Sequence, residues 1–249
     1  MGGYAAQKKN AAVVRKSLPS EVPTGRQPEA PPIRPECFDE TSSRSNKRSI
    51  RKSNSTMIKD VALALHAEIA VCARCADLAA GPRPIVQFGA AARILIIGQA
   101  PGARVHASGV PWDDPSGERL REWTGLTKGD FYDPAKVALM PMGFCYPGKG
   151  KSGDLPPRAE CAPLWHDRIL ALLPADRLTL LVGAYAQARY LPRAARLSLT
   201  ANVRAFRAFG PALIPLPHPS WRSVGWAKRN PWFESEVVPA LREAVRARL

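Results

Sequence analysis

Ile94-Leu-Ile-Ile97 runs directly into Gly98-Gln-Ala-Pro-Gly102. The four apolar residues do not alternate with polar ones, as expected of a short strand covered on both faces. The glycine- and proline-rich turn after them lets backbone N–H groups approach a bound ligand closely. It carries neither G-x-G-x-x-G nor a phosphate-loop lysine, so it does not read as a dinucleotide or nucleoside triphosphate site. Three further runs have the same character: Val137-Ala-Leu-Met140, Leu178-Thr-Leu-Leu-Val182 and Ala212-Leu-Ile-Pro215.

Helical patterns lie around and between these runs. Ile58, Val61, Ala62, Leu65 and Ile69 recur at helical spacing and lead toward Cys72. Ser116 reads as a cap for a helix through Trp123. Others are expected over Pro157–Leu173, Ala184–Leu191, Leu199–Phe209 and Trp232–Arg248. Strands alternating with helices predict an α/β fold: three layers, α/β/α, around a central four-stranded parallel sheet. Ligands of such sheets bind at the carboxyl ends of the strands. The loops after Ile97, Met140, Val182 and Pro215 are therefore the ones to inspect.

The formal net charge is +15. Residues 1–55 hold 11 Lys+Arg against 5 Asp+Glu, and the remainder 25 against 16, so the surplus is not confined to one end. A basic field of this kind favours a polyanionic partner through phosphate contacts and counterion release. Residues 1–55, rich in Pro, Ser, Lys and Arg, read as a disordered basic tail, and 56–249 as the folded domain. No apolar run approaches the ~20 residues of a membrane span, and no secretory signal is expected. A reducing, cytoplasmic compartment follows as the expectation, which makes disulfides a poor default.

There are five cysteines. Cys37 falls in the tail and is set aside. Cys72-Ala-Arg-Cys75 is a C-x-x-C pair, whereas Cys145 and Cys161 flank a polar Gly/Pro/Lys segment, Tyr146 to Arg158, that needs an anchor. Four thiolates suit tetrahedral zinc or a cubane iron–sulfur cluster. The wide second pair departs from the two close pairs zinc often uses. A thioredoxin-like redox motif fits less well, because Cys72 ends a helix instead of starting one.

After the last strand comes Leu216-Pro-His218-Pro-Ser220, where two prolines hold His218 in a rigid extended loop. Gly98-Gln-Ala-Pro-Gly102, Gly109-Val-Pro-Trp112, the four cysteines and His218-Pro-Ser220 together resemble the uracil-DNA glycosylase superfamily, in its iron–sulfur-containing branch. The resemblance covers roughly residues 70 to 245. It implies cleavage of the bond between uracil and deoxyribose in single- or double-stranded DNA, by a monomer, with the target base flipped into a pocket. It implies a 4Fe-4S cluster on Cys72, Cys75, Cys145 and Cys161. It implies a pocket lined by Gly98, Gln99, Ala100, Pro101 and Gly102, with Trp112 stacking on the base. His218 would hydrogen-bond the departing base, while Pro219, Ser220 and Arg222, with Lys228 and Arg229, would hold the DNA backbone. Trp221 or Trp226 would fill the emptied stack.

Two parts of the family pattern are missing. Relatives carry a carboxylate at the second or third residue of the first loop, where this chain has Gln99 and Ala100. They also place an asparagine shortly before the third cysteine, where this chain has Met140-Pro-Met-Gly-Phe144. Candidate substitutes are His106, Asp113 and Asp114, and the backbone of residues 141–143 for reading a base edge. The departures leave open a second reading, a weak or inactive DNA-binding protein that recognises uracil or abasic sites. A third, a redox or cluster-carrying protein, would need an exposed cluster.

Overall fold

The computed structural model describes residues 56–151, 153–192 and 197–249. The basic tail expected over 1–55, with Cys37, lies outside the described residues. A helix, α1, covers residues 56–70. Strand β1 (Ile94–Ile97) follows, then α2 (Ala103–Ser108), α3 (Pro115–Thr124), α4 (Lys128–Phe131) and β2 (Val137–Leu139). A small hairpin pairs β3 (Lys149–Gly150) with β4 (Gly153–Asp154). A π-helical turn, Ala162–His166, leads into α5 (Asp167–Leu170), then β5 (Leu178–Val182), α6 (Ala184–Tyr190) and α7 (Leu199–Arg204). The chain ends with β6 (Leu213–Leu216), α8 (Arg222–Arg229) and α9 (Val238–Arg246).

The central sheet has four parallel strands in the order β2-β1-β5-β6. Its residues are buried on both faces, and β1 divides its side chains between two cores. Ile94 and Ile96 join Leu120 and Trp123 of α3, Phe131 of α4 and Leu241 of α9. Leu95 and Ile97 join Leu65 and Ile69 of α1, Ile169 of α5 and Ala186 of α6. This is the three-layer α/β/α arrangement expected from the sequence. Replacing one such β1 isoleucine by alanine typically costs 2–5 kcal/mol.

Both sheet edges are closed to further pairing. The Gln87 backbone exchanges hydrogen bonds with Leu139 beside β2, at 3.1 and 2.7 Å. On the other edge β6 contains Pro215, which has no N–H to offer a further strand. Among the described residues no helix is long and apolar enough to cross a membrane.

Several boundaries differ from the expectation. Helix α3 is capped by Asp114, not Ser116: the Asp114 carboxylate accepts the Gly117 N–H at 2.8 Å, and Pro115 opens the first turn. The helix expected from Pro157 begins only at Ala162, after Cys161. Helices α2, α4 and α8 and the β3–β4 hairpin were not anticipated.

The end of β6, which presents the loop bearing His218, is tied down from α6. The buried Gln187 side chain donates to the Leu216 carbonyl at 2.9 Å and accepts from Asn202 at 3.1 Å. Gln187→Leu removes the nearer partner of the buried Asn202 amide and leaves it a longer bond to the Leu197 carbonyl at 3.4 Å, at a cost of about 1–3 kcal/mol. For a domain of this size that is a fall in Tm of roughly 2–10 °C. Thermal unfolding followed by circular dichroism checks it, and an unchanged Tm would contradict the role.

Candidate functional site

Chain order reverses between β1 and β5. From β1 the chain moves to β2 on one side, and from β5 to β6 on the other. The loops beyond their carboxyl ends therefore diverge and leave a crevice, the usual ligand position in open α/β sheets. A cleft of about 540 Å³ lies there. Gln99, Ala100, Pro101 and Gly102 line it from the first loop, and His218, Ser220 and Arg222 from the last.

Trp112 forms one wall, and two glycines make room for it. A Cβ on Gly98 would stand 2.6 Å from the indole ring, and one on Gly117 would stand 1.8 Å from the Trp112 carbonyl oxygen. Trp112 is also the one non-glycine described residue with positive φ, +57°. Such a conformation is uncommon for a bulky residue and persists only where the surroundings hold it. The indole stacks beside the His218 imidazole, with ring centroids 5.8 Å apart and planes at 29°.

His218 is half-buried, and desolvation holds its pKa below the ordinary histidine value, with Asp114 opposing the shift. It is thus a neutral imidazole at neutral pH, able to donate one N–H without bringing a charge. Its loop is firmly clamped. Arg119 donates to the carbonyls of Pro219 (3.2 Å) and Ser220 (2.8 Å). The Ser220 carbonyl also accepts the Ser223 N–H at 2.9 Å and the Ser223 hydroxyl at 2.6 Å. Gly183, at φ +90°, lies against the His218 side chain from the β5 loop.

Of the backbone atoms of residues 141–143 offered for reading a base edge, the N–H groups already have partners. The Met142 and Gly143 N–H groups donate to the carbonyls of Gly98 (2.9 Å) and Gln99 (3.0 Å). Pro141, the part of this stretch that lines the cleft, has its carbonyl on His166 Nε2 at 3.0 Å. The polar side chains nearest to replacing the missing asparagine are Gln99 and Tyr185, which both line the cleft.

His106 is not brought together with His218. It sits on α2 with its ring 5.8 Å from that of Tyr146, outside the cleft lining, and its Nδ1 is buried with no hydrogen-bond partner among the described residues. Asp114 does line the cleft, but as the cap of α3. Asp154, from the hairpin, also lines it and was missed in the sequence, where nothing relates it to the first loop. The two tryptophans separate cleanly. Trp226 donates to Thr200 at 2.8 Å and packs edge-on against Trp232 and Phe233, whereas Trp221 is 76% exposed at the cleft mouth.

With residues 98–102 and 109–112 as the first two loops, residues 140–145 after β2 form the third loop, and the four cysteines gather on its other side. Cys72 follows the end of α1, Cys161 directly precedes the π-helical turn, and all four line one small pocket with Phe144, Leu164 and Trp165. All four are free thiols. Burial pushes the Cys145 thiol up to about 11, and its neighbours Cys161, Cys75 and Cys72 add to the shift. Among the described residues no three His, Cys, Asp or Glu side chains converge tightly enough to hold a single metal ion.

An open parallel sheet, a loop-built cleft at its switch point, an aromatic wall and a half-buried neutral imidazole define an α/β domain suited to a flat, polar ring. The family model of the Uracil DNA glycosylase superfamily matches residues 86–242, and the chain belongs to that superfamily. It is a glycosylase-type domain of a family that acts on DNA.

His166 makes the third loop sensitive to acid. It is fully buried, and because the Pro141 carbonyl can only accept, Nε2 carries the proton and Nδ1 accepts from the Tyr190 hydroxyl. Desolvation lowers its pKa to about 4. The unfolded chain protonates near pH 6.5 while the folded one resists, so stability present above that pH is lost as pH falls toward about 4. The expected loss is on the order of 3 kcal/mol, read as the difference between wild type and His166→Gln in urea unfolding across this range. Equal pH slopes for the two proteins would contradict it.

Proposed function

We propose that the protein is a DNA glycosylase that hydrolyses the bond joining uracil, or a related damaged base, to deoxyribose, the first step of base excision repair. The observation that carries this reading is the half-buried, neutral His218 held against Trp112 at the switch-point cleft. The flipped base stacks on Trp112. Negative charge grows on its ring as the C1′–N1 bond lengthens, and the His218 N–H meets that charge. A donor fixed in advance where charge develops is usually the largest single contribution to catalysis. A neutral donor suits the task, since uracil leaves as a stable anion and needs no full proton. Gln99 and Tyr185 are placed to read the edge of the base.

Outside the cleft, Arg222 stands over the Trp221 ring, 5.3 Å from its centroid, and Lys228 and Arg229 are exposed on the same helix. In this reading Trp221 enters the gap left by the flipped base while the basic side chains hold phosphates. The charge surplus supplies the long-range attraction.

A 4Fe-4S cluster on Cys72, Cys75, Cys145 and Cys161 belongs to the same proposal. Two things support it. The four thiols ring one pocket with an apolar wall. Burial and the other three thiols raise the pKa of Cys145, a cost that bound iron removes by stabilising thiolates. When bound, the cluster supplies a structural cross-link, tying the end of α1 to both ends of the 145–161 segment. Anaerobically purified protein is expected to contain about four iron atoms and absorb near 400 nm, and Cys145→Ser to lose both. Stoichiometric zinc without iron would contradict the cluster.

The absence of an acid at Gln99 and Ala100 favours a second reading, recognition of uracil or abasic sites without turnover. One assay separates the two. The purified protein is incubated with a single-stranded uracil oligonucleotide, and abasic sites are then cleaved with alkali. Strand cleavage is expected, falling about 10²–10³-fold in His218→Ala with the Tm unchanged. Binding without cleavage would establish the second reading.

A further inference from the structure

Departure of the base leaves a positive deoxyribose and an attacking water, and the first loop offers neither a carboxylate. We propose that Asp154, carried by the hairpin between the third and fourth cysteines, faces the sugar and takes the proton of the attacking water. This deepens the glycosylase reading and rests on it.

The placement is the argument. The hairpin lies far along the chain from the first loop, yet Asp154 lines the same cleft as Trp112 and His218. Its Oδ2 lies 3.5 Å from where a Cβ on Gly102 would stand, so the carboxylate rests in contact with the end of the first loop. The adjacent Gly153 meets the Arg222 guanidinium, 3.4 Å from the position of its own missing Cβ. The hairpin therefore reaches from the first loop to the start of α8, across the cleft, and sets an acid between the two catalytic loops. Other acids nearby are otherwise engaged. Asp114 caps α3, Asp113 is outside the cleft lining, and Glu160 lines the cysteine pocket.

The surroundings make Asp154 a stronger base than an ordinary aspartate. Burial raises its pKa first; Lys149 across the hairpin opposes this and Asp114 of the α3 cap adds to it. Tyr146 also faces it, and Arg222 stands beside it from α8. In the step itself the C1′–N1 bond breaks and its electron pair leaves on the uracil. The water oxygen bonds to C1′, its proton passes to the Asp154 carboxylate, and that proton is released to solvent. The products are the free base, protonated from solvent, and an abasic sugar with a hydroxyl at C1′.

Two measurements on the full chain test this. In single-turnover cleavage of the uracil oligonucleotide, Asp154→Asn is expected to slow the rate by ~10²–10⁴-fold and abolish the acid limb of the pH profile, with oligonucleotide affinity within about threefold of wild type. In binding, wild type and His218→Ala are expected to prefer an oligonucleotide bearing a cationic pyrrolidine abasic analogue over the neutral tetrahydrofuran analogue by roughly tenfold, and Asp154→Asn to lose that preference. Asp154→Ser replaces Asp154→Asn if the latter melts early. If wild type fails to cleave but its preference for the cation disappears with Asp154, the placement of the carboxylate at the sugar stands, and its role as proton acceptor falls with the glycosylase reading. A variant rate within about threefold of wild type, or a preference for the cation that is absent or survives the substitution, overturns the assignment.

Discussion

Burial of β1 on both faces is the constraint from which the rest follows. Ile94 and Ile96 need one apolar layer and Leu95 and Ile97 another, so helices must cover both sides of the sheet. With both faces closed and both edges blocked, the strand ends are the places left for a ligand. The sheet order then selects one of them, because the loops after β1 and β5 part at the switch point. Gly98 comes directly after the strand, and its missing side chain is what lets Trp112 close over the crevice beside His218.

The strands were legible because a strand buried on both faces must be continuously apolar, and such runs stand out in this basic, proline-rich chain. The His-Pro-Ser loop was legible because prolines on both sides announce a rigid extended segment. The features that escaped depend on partners distant in the sequence. Asp114 outcompetes Ser116 as a cap because Pro115 presets the first turn and the Gly117 N–H is free to receive the carboxylate. The third loop looked available for base reading until Gly98 and Gln99 were seen to occupy its N–H groups. The hairpin is two residues per strand, too short for any period to register, and its meaning lies in what it meets: Gly102 and Arg222.

The third loop also joins two parts of the protein that the sequence presents separately. Its Pro141 end borders the cleft and hangs on His166, which is stacked between Phe144 and Tyr190. Its Phe144 end lines the cysteine pocket, with Cys145 next in the chain. His166 itself lies in the π-helical turn that starts just after Cys161. Whatever fixes the cysteines therefore also fixes the floor of the cleft, by covalent continuity and by one buried imidazole. A cross-link at the cysteines would act on the chemistry by holding shape, without taking part in it.

The central claim is that a flipped uracil lies on Trp112 within reach of His218. A crystal structure of the His218→Ala protein with a single-stranded oligonucleotide containing 2′-fluoro-deoxyuridine tests it most directly, since the fluorine slows loss of the base. The account predicts density for the uracil ring stacked on the Trp112 indole, with its sugar between the first loop and the hairpin. A uracil left in the strand and bound elsewhere on the basic surface, with the switch-point cleft empty, would contradict it.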